Sequence, residues 1–147
     1  MKKKAIVLGL LIIGFCNCMM AEEEKPVFDD AIKPVHIEEL AYPPLARMAN
    51  IQGIVVVRAK LDVEGKVEES VALSGPKVLI PECIANSKKW KFQPISDNRV
   101  IIIYDFRLEG LCYFHSPCAS QFSFRPPNVA TITSGFQVVD HYPNPAK

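Results

Sequence analysis

Three cysteines in the second half of the chain are the residues best placed to do chemistry, and that chemistry is disulfide formation. Cys112 and Cys118 flank a five-residue loop between two strand-like runs, so a covalent bond between them would close the loop. Cys83 then has no partner, and its place on the inner face of a predicted helix favours a buried thiol over a reactive or intermolecular one. We therefore predict a Cys112–Cys118 disulfide.

Histidines and acidic residues do not indicate a metal centre or an acid–base pair. His36, His115 and His141 are far apart in the sequence, and none has the spacing of a zinc motif. Asp105 and Glu109 lie on one predicted strand, which separates them by about 13 Å. The sequence also lacks a glycine-rich phosphate loop and a nucleophile elbow. We therefore expect no metal, no cofactor and no enzymatic activity.

Aromatic residues in the cysteine loop are candidates for contact with a partner. Tyr113 and Phe114 would present rigid apolar area at the tip of the loop. Trp90, by contrast, stands at the end of an amphipathic helix, where an indole typically seals the core. We expect Tyr113 and Phe114 to act as the loop anchor.

The first 21 residues have the pattern of a secretory signal. Lysines at positions 2–4 precede an unbroken apolar run from Ala5 to Phe15, which is shorter than the roughly 20 residues that span a bilayer. Cleavage after Cys18 or Ala21 would release an exported chain, and retention of the segment would leave a membrane anchor. A further alternative is lipid attachment at Cys16 or Cys18.

The charge balance argues against a nucleic-acid partner. The 147 residues include 17 basic and 16 acidic side chains, and loss of residues 1–21 removes three lysines and no acid. Lys88, Lys89 and Lys91 form only a local cluster, which is typical of a solvated helix end. A chain of this length is expected to form one domain with a single core.

The chain divides into an arm, a domain and an extension. Residues 22–40 are acidic and interrupted by prolines, which predicts a flexible arm. Residues 41–109 form the predicted domain. Residues 110–139 add the disulfide loop and a C-terminal β extension to the same domain, and residues 140–147 are a tail.

The predicted domain begins with a short helix and a β-hairpin. Pro44 suits the first turn of a helix that has Leu45, Met48 and Ala49 on one face. Alternating apolar residues then predict strands over 55–63 and 66–74, and the acidic residue and glycine between them suit a tight turn.

A second helix and a third strand complete the domain. The helix over 81–90 carries an apolar stripe that should pack on the sheet, and 100–108 is the strongest strand of the chain. Because one helix joins the second strand to the third, an antiparallel sheet can hold both only with the first strand between them. Beyond the cysteine loop, residues 121–125 and 129–133 predict a hairpin. The fold class is α+β, with two helices on one face of a small antiparallel sheet that the C-terminal hairpin extends.

In this arrangement the third strand lies at an edge of the sheet. Unpaired N–H and C=O groups at an edge are a template for an extended peptide, unless the strand over 121–125 fills it. The predicted partner-binding residues are Val100, Ile101, Ile102, Ile103, Tyr104, Asp105, Phe106, Arg107 and Leu108.

The order and spacing of short motifs between Pro34 and Leu108 resembles the TonB C-terminal domain. These motifs are Tyr42-Pro43, Leu45-Ala46-Arg47, the strand after Gly53, Val63-Glu64-Gly65-Lys66-Val67, Ser74-Gly75 and Trp90-Lys91-Phe92-Gln93-Pro94. The resemblance implies two helices against a three-stranded antiparallel sheet in the periplasm of a Gram-negative cell. It also implies a partner, since members that transduce energy pair an edge strand with a segment of an outer-membrane transporter.

The chain departs from this pattern in lacking a long proline-rich spacer and in adding residues after the third strand. We predict a periplasmic protein-interaction domain that pairs with a partner peptide in energy-coupled transport across the outer membrane. The alternative is a structural envelope module that binds peptidoglycan or self-associates. Contact with the membrane is expected only if the N-terminal segment is retained as an inner-membrane anchor.

Overall fold

The structure is a computed structural model that describes residues 32–113 and 118–138. The predicted signal, most of the arm, Phe114, His115 and the tail lie outside these residues. The elements are β1 (Pro34–His36), α1 (Pro44–Met48), β2 (Gly53–Leu61), β3 (Val67–Ser74), α2 (Ile80–Ser87), β4 (Lys91–Phe92), β5 (Arg99–Tyr113), β6 (Gln121–Arg125) and β7 (Val129–Val138). Both helices and the three strands of the predicted domain are present, which confirms the α+β class. Among the described residues, no helix has the length and hydropathy needed to cross a membrane.

The main sheet has five strands in the order β3-β2-β5-β7-β6. β2 lies between β3 and β5 and is antiparallel to both, as the connection argument predicts. β7 is antiparallel to β6 but parallel to β5, so the sheet is mixed and not wholly antiparallel. The reason is topological: the chain leaves β5, passes outward through β6 and returns in β7 beside β5, and two reversals restore its direction. β1 and β4 form a separate pair.

One face of the main sheet carries the core. The buried side chains of its two central strands are Val55, Val57, Ala59, Leu61, Val100, Ile102, Tyr104, Phe106 and Leu108. Trp90 follows α2 and is 1% exposed, with its ring against those of Tyr104 and Phe124 at centroid distances of 5.8 and 5.6 Å. Burial of one such large side chain contributes about 1.5–3 kcal/mol. Trp90 therefore seals the core, as its sequence position predicts.

Helix α1 turns its large apolar side chains away from the sheet. Ala46 is fully buried, whereas Leu45 and Met48 share a face that is exposed to solvent. A small side chain faces the sheet because the helix lies close to it. Just before the helix, the ring of Tyr42 packs edge-on against Phe106 at a centroid distance of 5.3 Å. From the helix, Arg47 Nη1 donates to the carbonyl of Cys118, in the chain that leads into β6.

Candidate interaction site

β7 pairs along the edge of β5 from Ile103 onwards, so this part of the predicted edge strand Val100–Leu108 is not a free edge. Pairing runs from Ile103 opposite Val129 to Leu108 opposite Ser134, and resumes at Leu111 opposite Phe136. The strand over 121–125, which sequence analysis considered for this place, lies outside β7.

Two features explain why the hairpin occupies this edge. Ala130 and Ile132 of β7 are fully buried on the core face, so pairing with β5 also completes the core. At the start of the interface, Asn128 Nδ2 donates to Ile101 O and Ile103 N donates to Asn128 O, both at 2.9 Å. The hairpin therefore satisfies the backbone of β5 even before the regular ladder begins.

β3 is one of the two outermost strands of the main sheet, and its free edge extends over residues 68–74. At its beginning this edge is closed by β4, where Lys66 bridges to Lys91 and Phe92 N donates to Gly65 O at 2.8 Å. Beyond that point the described residues contain no strand paired with the outer side of β3. The free edge is therefore seven residues long.

Exposed apolar side chains lie beside the free edge of β3. Val71 and Leu73 are 43% and 47% exposed, and Ile54 on the neighbouring strand is 54% exposed. They belong to the face of the sheet opposite the helices, because Ile54 alternates with the buried residues of β2, and because Val71 and Leu73 flank Ala72, which pairs with buried Val57. Unpaired backbone and accessible apolar side chains thus coincide here, a combination that favours recognition of an extended peptide.

β6, at the opposite side of the sheet, is less suited to binding. It is only five residues long and is followed by two prolines. The side chains on its outer face are polar and exposed, namely Gln121, Ser123 and Arg125. Short strands, charges and prolines are the features by which edge strands avoid pairing with other chains.

A groove lined by lysines lies where β4 crosses the start of β3. It encloses about 460 Å³. Its lining residues, which define the lysine groove, are His36, Asp62, Lys66, Val67, Glu68, Lys88, Lys89, Trp90 and Lys91. Lys66 Nζ lies 2.9 Å from Glu64 Oε2, and the hydrogen bond with that carboxylate raises the pKa of Lys66. Lys89 Nζ lies 3.1 Å from Glu38 Oε1.

Cys112 and Cys118 have no disulfide between them in the structure, so the Cys112–Cys118 bond stays a prediction. They are nevertheless neighbours, since a hydrogen bond with Cys112 raises the pKa of Cys118. Each is held by its own backbone: Cys112 is paired with Gln137 in the ladder, and the Cys118 carbonyl accepts Arg47 Nη1 at 3.0 Å.

The remaining candidate residues have no common site. Tyr113 ends β5, and its proposed partner in the loop anchor, Phe114, lies outside the described residues. Cys83 is buried, and burial raises the pKa of its thiol to about 12. In residues 32–113 and 118–138, no three metal-ligating side chains gather into a cluster.

Sequence reasoning missed the apolar side chains at β3 and the importance of the lysines. Val71 and Leu73 alternate with polar neighbours in a way that predicts a half-buried strand, but only the sheet order shows that their face is uncovered. The three lysines around Trp90 were visible in the sequence, whereas their proximity to Lys66 depends on the pairing of β4 with the start of β3.

Comparison with known proteins agrees with the motifs. Residues 38–108 match the family model described as Gram-negative bacterial TonB protein C-terminal. Among solved structures, the solution NMR structure of the Pseudomonas aeruginosa TonB CTD is similar at 22% identity and a TM-score of 0.46, over 56% of this chain and 92% of that one. No curated protein matches the chain. The matched segment extends from the residues before α1 to Leu108 in β5, and residues 38–108 of this chain therefore belong to the TonB C-terminal domain family.

Proposed function

We propose that this chain is a periplasmic interaction domain that binds an extended segment of another envelope protein along the free edge of β3. The observation that carries the proposal is that the outer side of β3 over residues 68–74, which pairs with no strand in the described part of the chain, coincides with the exposed side chains of Val71, Leu73 and Ile54. Family membership supports an interaction role, and the periplasm is the location that the family implies.

The bound segment would extend the sheet by one strand. Its backbone would pair with β3, which supplies affinity independent of sequence. Alternate side chains of the segment would contact Val71 and Leu73, because successive residues of a strand point to opposite faces. A partner with apolar residues at every second position fits this surface best.

An outer-membrane transporter is the partner class that the family resemblance supports. In that case, pairing would connect this domain to energy-coupled transport across the outer membrane. Transporter pairing along Val100–Leu108, the partner-binding strand that the sequence predicts, would require the hairpin β6–β7 to leave β5. That movement would expose Ile132, whose burial alone contributes about 1.5–3 kcal/mol, and so the edge of β3 is the more accessible site.

Photocrosslinking in a Gram-negative host tests the proposal. A photoreactive amino acid is placed at Leu73 beside the free edge of β3, and at Ser123 on β6 as a matched control in an outer strand. We expect a crosslinked outer-membrane protein from position 73 and none from position 123. Crosslinks from position 123 alone would contradict the choice of edge, and crosslinks only to a second copy of this chain would favour the self-associating envelope module.

A locked hairpin separates the two candidate edges. Ile103→Cys and Val129→Cys, which replace an opposed pair in the β5–β7 ladder, would hold β7 on β5 through a disulfide once the native cysteines are replaced by alanine. Crosslinking from position 73 should persist in the oxidised variant. Its loss on oxidation and return on reduction would instead show that the partner pairs with β5 after the hairpin moves.

A further inference from the structure

We propose that the lysine groove selects a partner segment whose end beyond β3 is acidic. This inference rests on the proposed binding along β3 and specifies the chemistry of the segment. It starts from the continuity of the two features: Glu68, the first residue of the free edge, also lines the groove. A segment paired with β3 reaches the groove where the edge ends.

The course of β4 makes the groove the natural continuation of the edge. Val67 N faces Trp90 O at 3.5 Å, and Lys66 bridges to Lys91. A partner strand therefore cannot continue to pair with the chain beyond Glu68. Its next residues must leave the sheet there, over a surface whose floor includes the buried residues Trp90 and Val67.

The charges of the groove favour an acidic ligand. Four lysines line it against two acidic residues, Asp62 and Glu68. Glu68 Oε2 is already 3.5 Å from Lys60 Nζ, and Asp62 Oδ1 accepts the backbone N–H groups of Glu64 and Lys66 at 2.8 and 2.9 Å. Both acids of the lining are thus engaged within the protein.

Two of the four lysines are available to a ligand. Lys66 and Lys89 have carboxylate partners in Glu64 and Glu38. Lys88 and Lys91 make no ion pair in the described part of the chain, although Lys91 is close enough to Glu64 to help lower the pKa of that carboxyl group. A lysine ammonium on its flexible stem binds a carboxylate as a point charge without strict geometry. The groove is therefore suited to the side chains of a short acidic run more than to one rigid ligand.

Backbone carbonyls at the end of α2 do not cancel this preference. The C-terminus of a helix carries partial negative charge on carbonyls that lack a partner. Here Asn86 O accepts Lys89 N at 2.9 Å, and Ser87 O accepts Trp90 N at 3.1 Å. These hydrogen bonds reduce the negative potential that an acidic ligand would meet.

Synthetic peptides of alternating threonine and valine, extended by a run of glutamates, of glutamines or of lysines, test the inference. Placing the run at either terminus in turn covers both strand directions. Binding to the purified domain is followed by fluorescence anisotropy at low salt. We expect the better glutamate peptide to bind about fivefold more tightly than its glutamine counterpart, and the lysine peptide to bind more weakly than both, because exposed ion pairs contribute modestly and are screened by salt.

Variants locate the effect. Lys88→Gln with Lys91→Gln should abolish the preference for glutamate, whereas Lys77→Gln, at an exposed lysine just beyond the other end of β3, should preserve it. Equal binding of the glutamate and glutamine peptides to the native domain would overturn the groove inference and leave the proposed function intact. Binding of none of the peptides would overturn both.

Discussion

Asn86 Oδ1 accepts the indole N–H of Trp90 at 2.8 Å inside the core. The same oxygen accepts the hydroxyl of Tyr104 at 3.0 Å, and the amide nitrogen donates to Glu38 O and Glu39 O at 3.1 Å each. The buried side chain of Asn86 thus links α2 to Trp90 just after the helix, to Tyr104 in β5 and to the segment before α1. Its polar atoms are satisfied, which is the condition for a stable buried amide.

Replacement of this amide should be strongly destabilising. Asn86→Leu leaves the Trp90 N–H buried without a partner and takes the donor from Glu38 O and Glu39 O, at about 1–3 kcal/mol for each unsatisfied group, while the Tyr104 hydroxyl keeps only its contact with Ser87. We expect the free energy of unfolding to fall by roughly 3 kcal/mol or more in urea denaturation. Glu82→Leu, on the exposed side of the same helix, should change it by less than about 1 kcal/mol. Similar stabilities for the two variants would show that the network contributes little.

The C-terminal hairpin should unfold together with the rest of the domain. Ile132 is fully buried, so Ile132→Ala should cost about 2–5 kcal/mol and shift a single cooperative transition. Thr131→Ala, one residue earlier and half-buried on the other face, should have a much smaller effect. A separate early transition for the hairpin would instead identify it as a displaceable element.

Gly65 and Gly110 both have a backbone conformation that favours glycine, but only Gly65 also lacks space for a side chain. Both have positive φ, +80° and +72°, but a Cβ at Gly65 would lie 1.9 Å from Phe92 O, whereas a Cβ at Gly110 would meet nothing within 4 Å. Gly110→Ala should cost only the backbone strain of about 1–2 kcal/mol. Gly65→Ala should cost clearly more, because β4 must move, and near-UV circular dichroism of Trp90 should report that movement. Equal losses would mean that strain alone matters at both positions.

Cys83 should make the domain less stable at alkaline pH. Burial raises the pKa of its thiol to about 12, while the thiol of the unfolded chain titrates near 8.5. Below the pKa of the unfolded chain, the thiol is protonated in both states and stability does not depend on pH. As the pH rises from there toward 12, only the unfolded chain loses the proton, and the free energy of unfolding falls by about 1.4 kcal/mol per pH unit.

Thiol chemistry and a variant isolate this contribution. Cys83→Ala should reduce the loss of stability above about pH 9. Part of that loss should remain, because burial also raises the pKa of Tyr104. In the native domain under reducing conditions, iodoacetamide should modify the partly exposed Cys112 and Cys118 and leave Cys83 intact until unfolding. Rapid alkylation of Cys83 in the folded state would contradict its burial.

The short-range features of the domain could be predicted from local residue patterns. The alternation in β2 and β5 and the acidic residue and glycine at Gly65 act over a few neighbouring residues, so strands and turn were predicted close to their observed places. Helix α1 shows the limit of such patterns. The spacing of Leu45 and Met48 correctly placed them on one face, but which face meets the sheet depends on how closely the helix approaches it.

The sequence by itself determined the family, the α+β class and the position of β2 between two strands, because these follow from local periodicity, motif order and the direction of one connection. Only the tertiary structure decided which edges are free. β6 and β7 have similar patterns, and the choice of β7 as the neighbour of β5 depends on burying Ala130 and Ile132 against a core that distant residues build. For the same reason the lysine groove is invisible in the sequence: Lys66 and Lys91 meet only through backbone pairing across the fold.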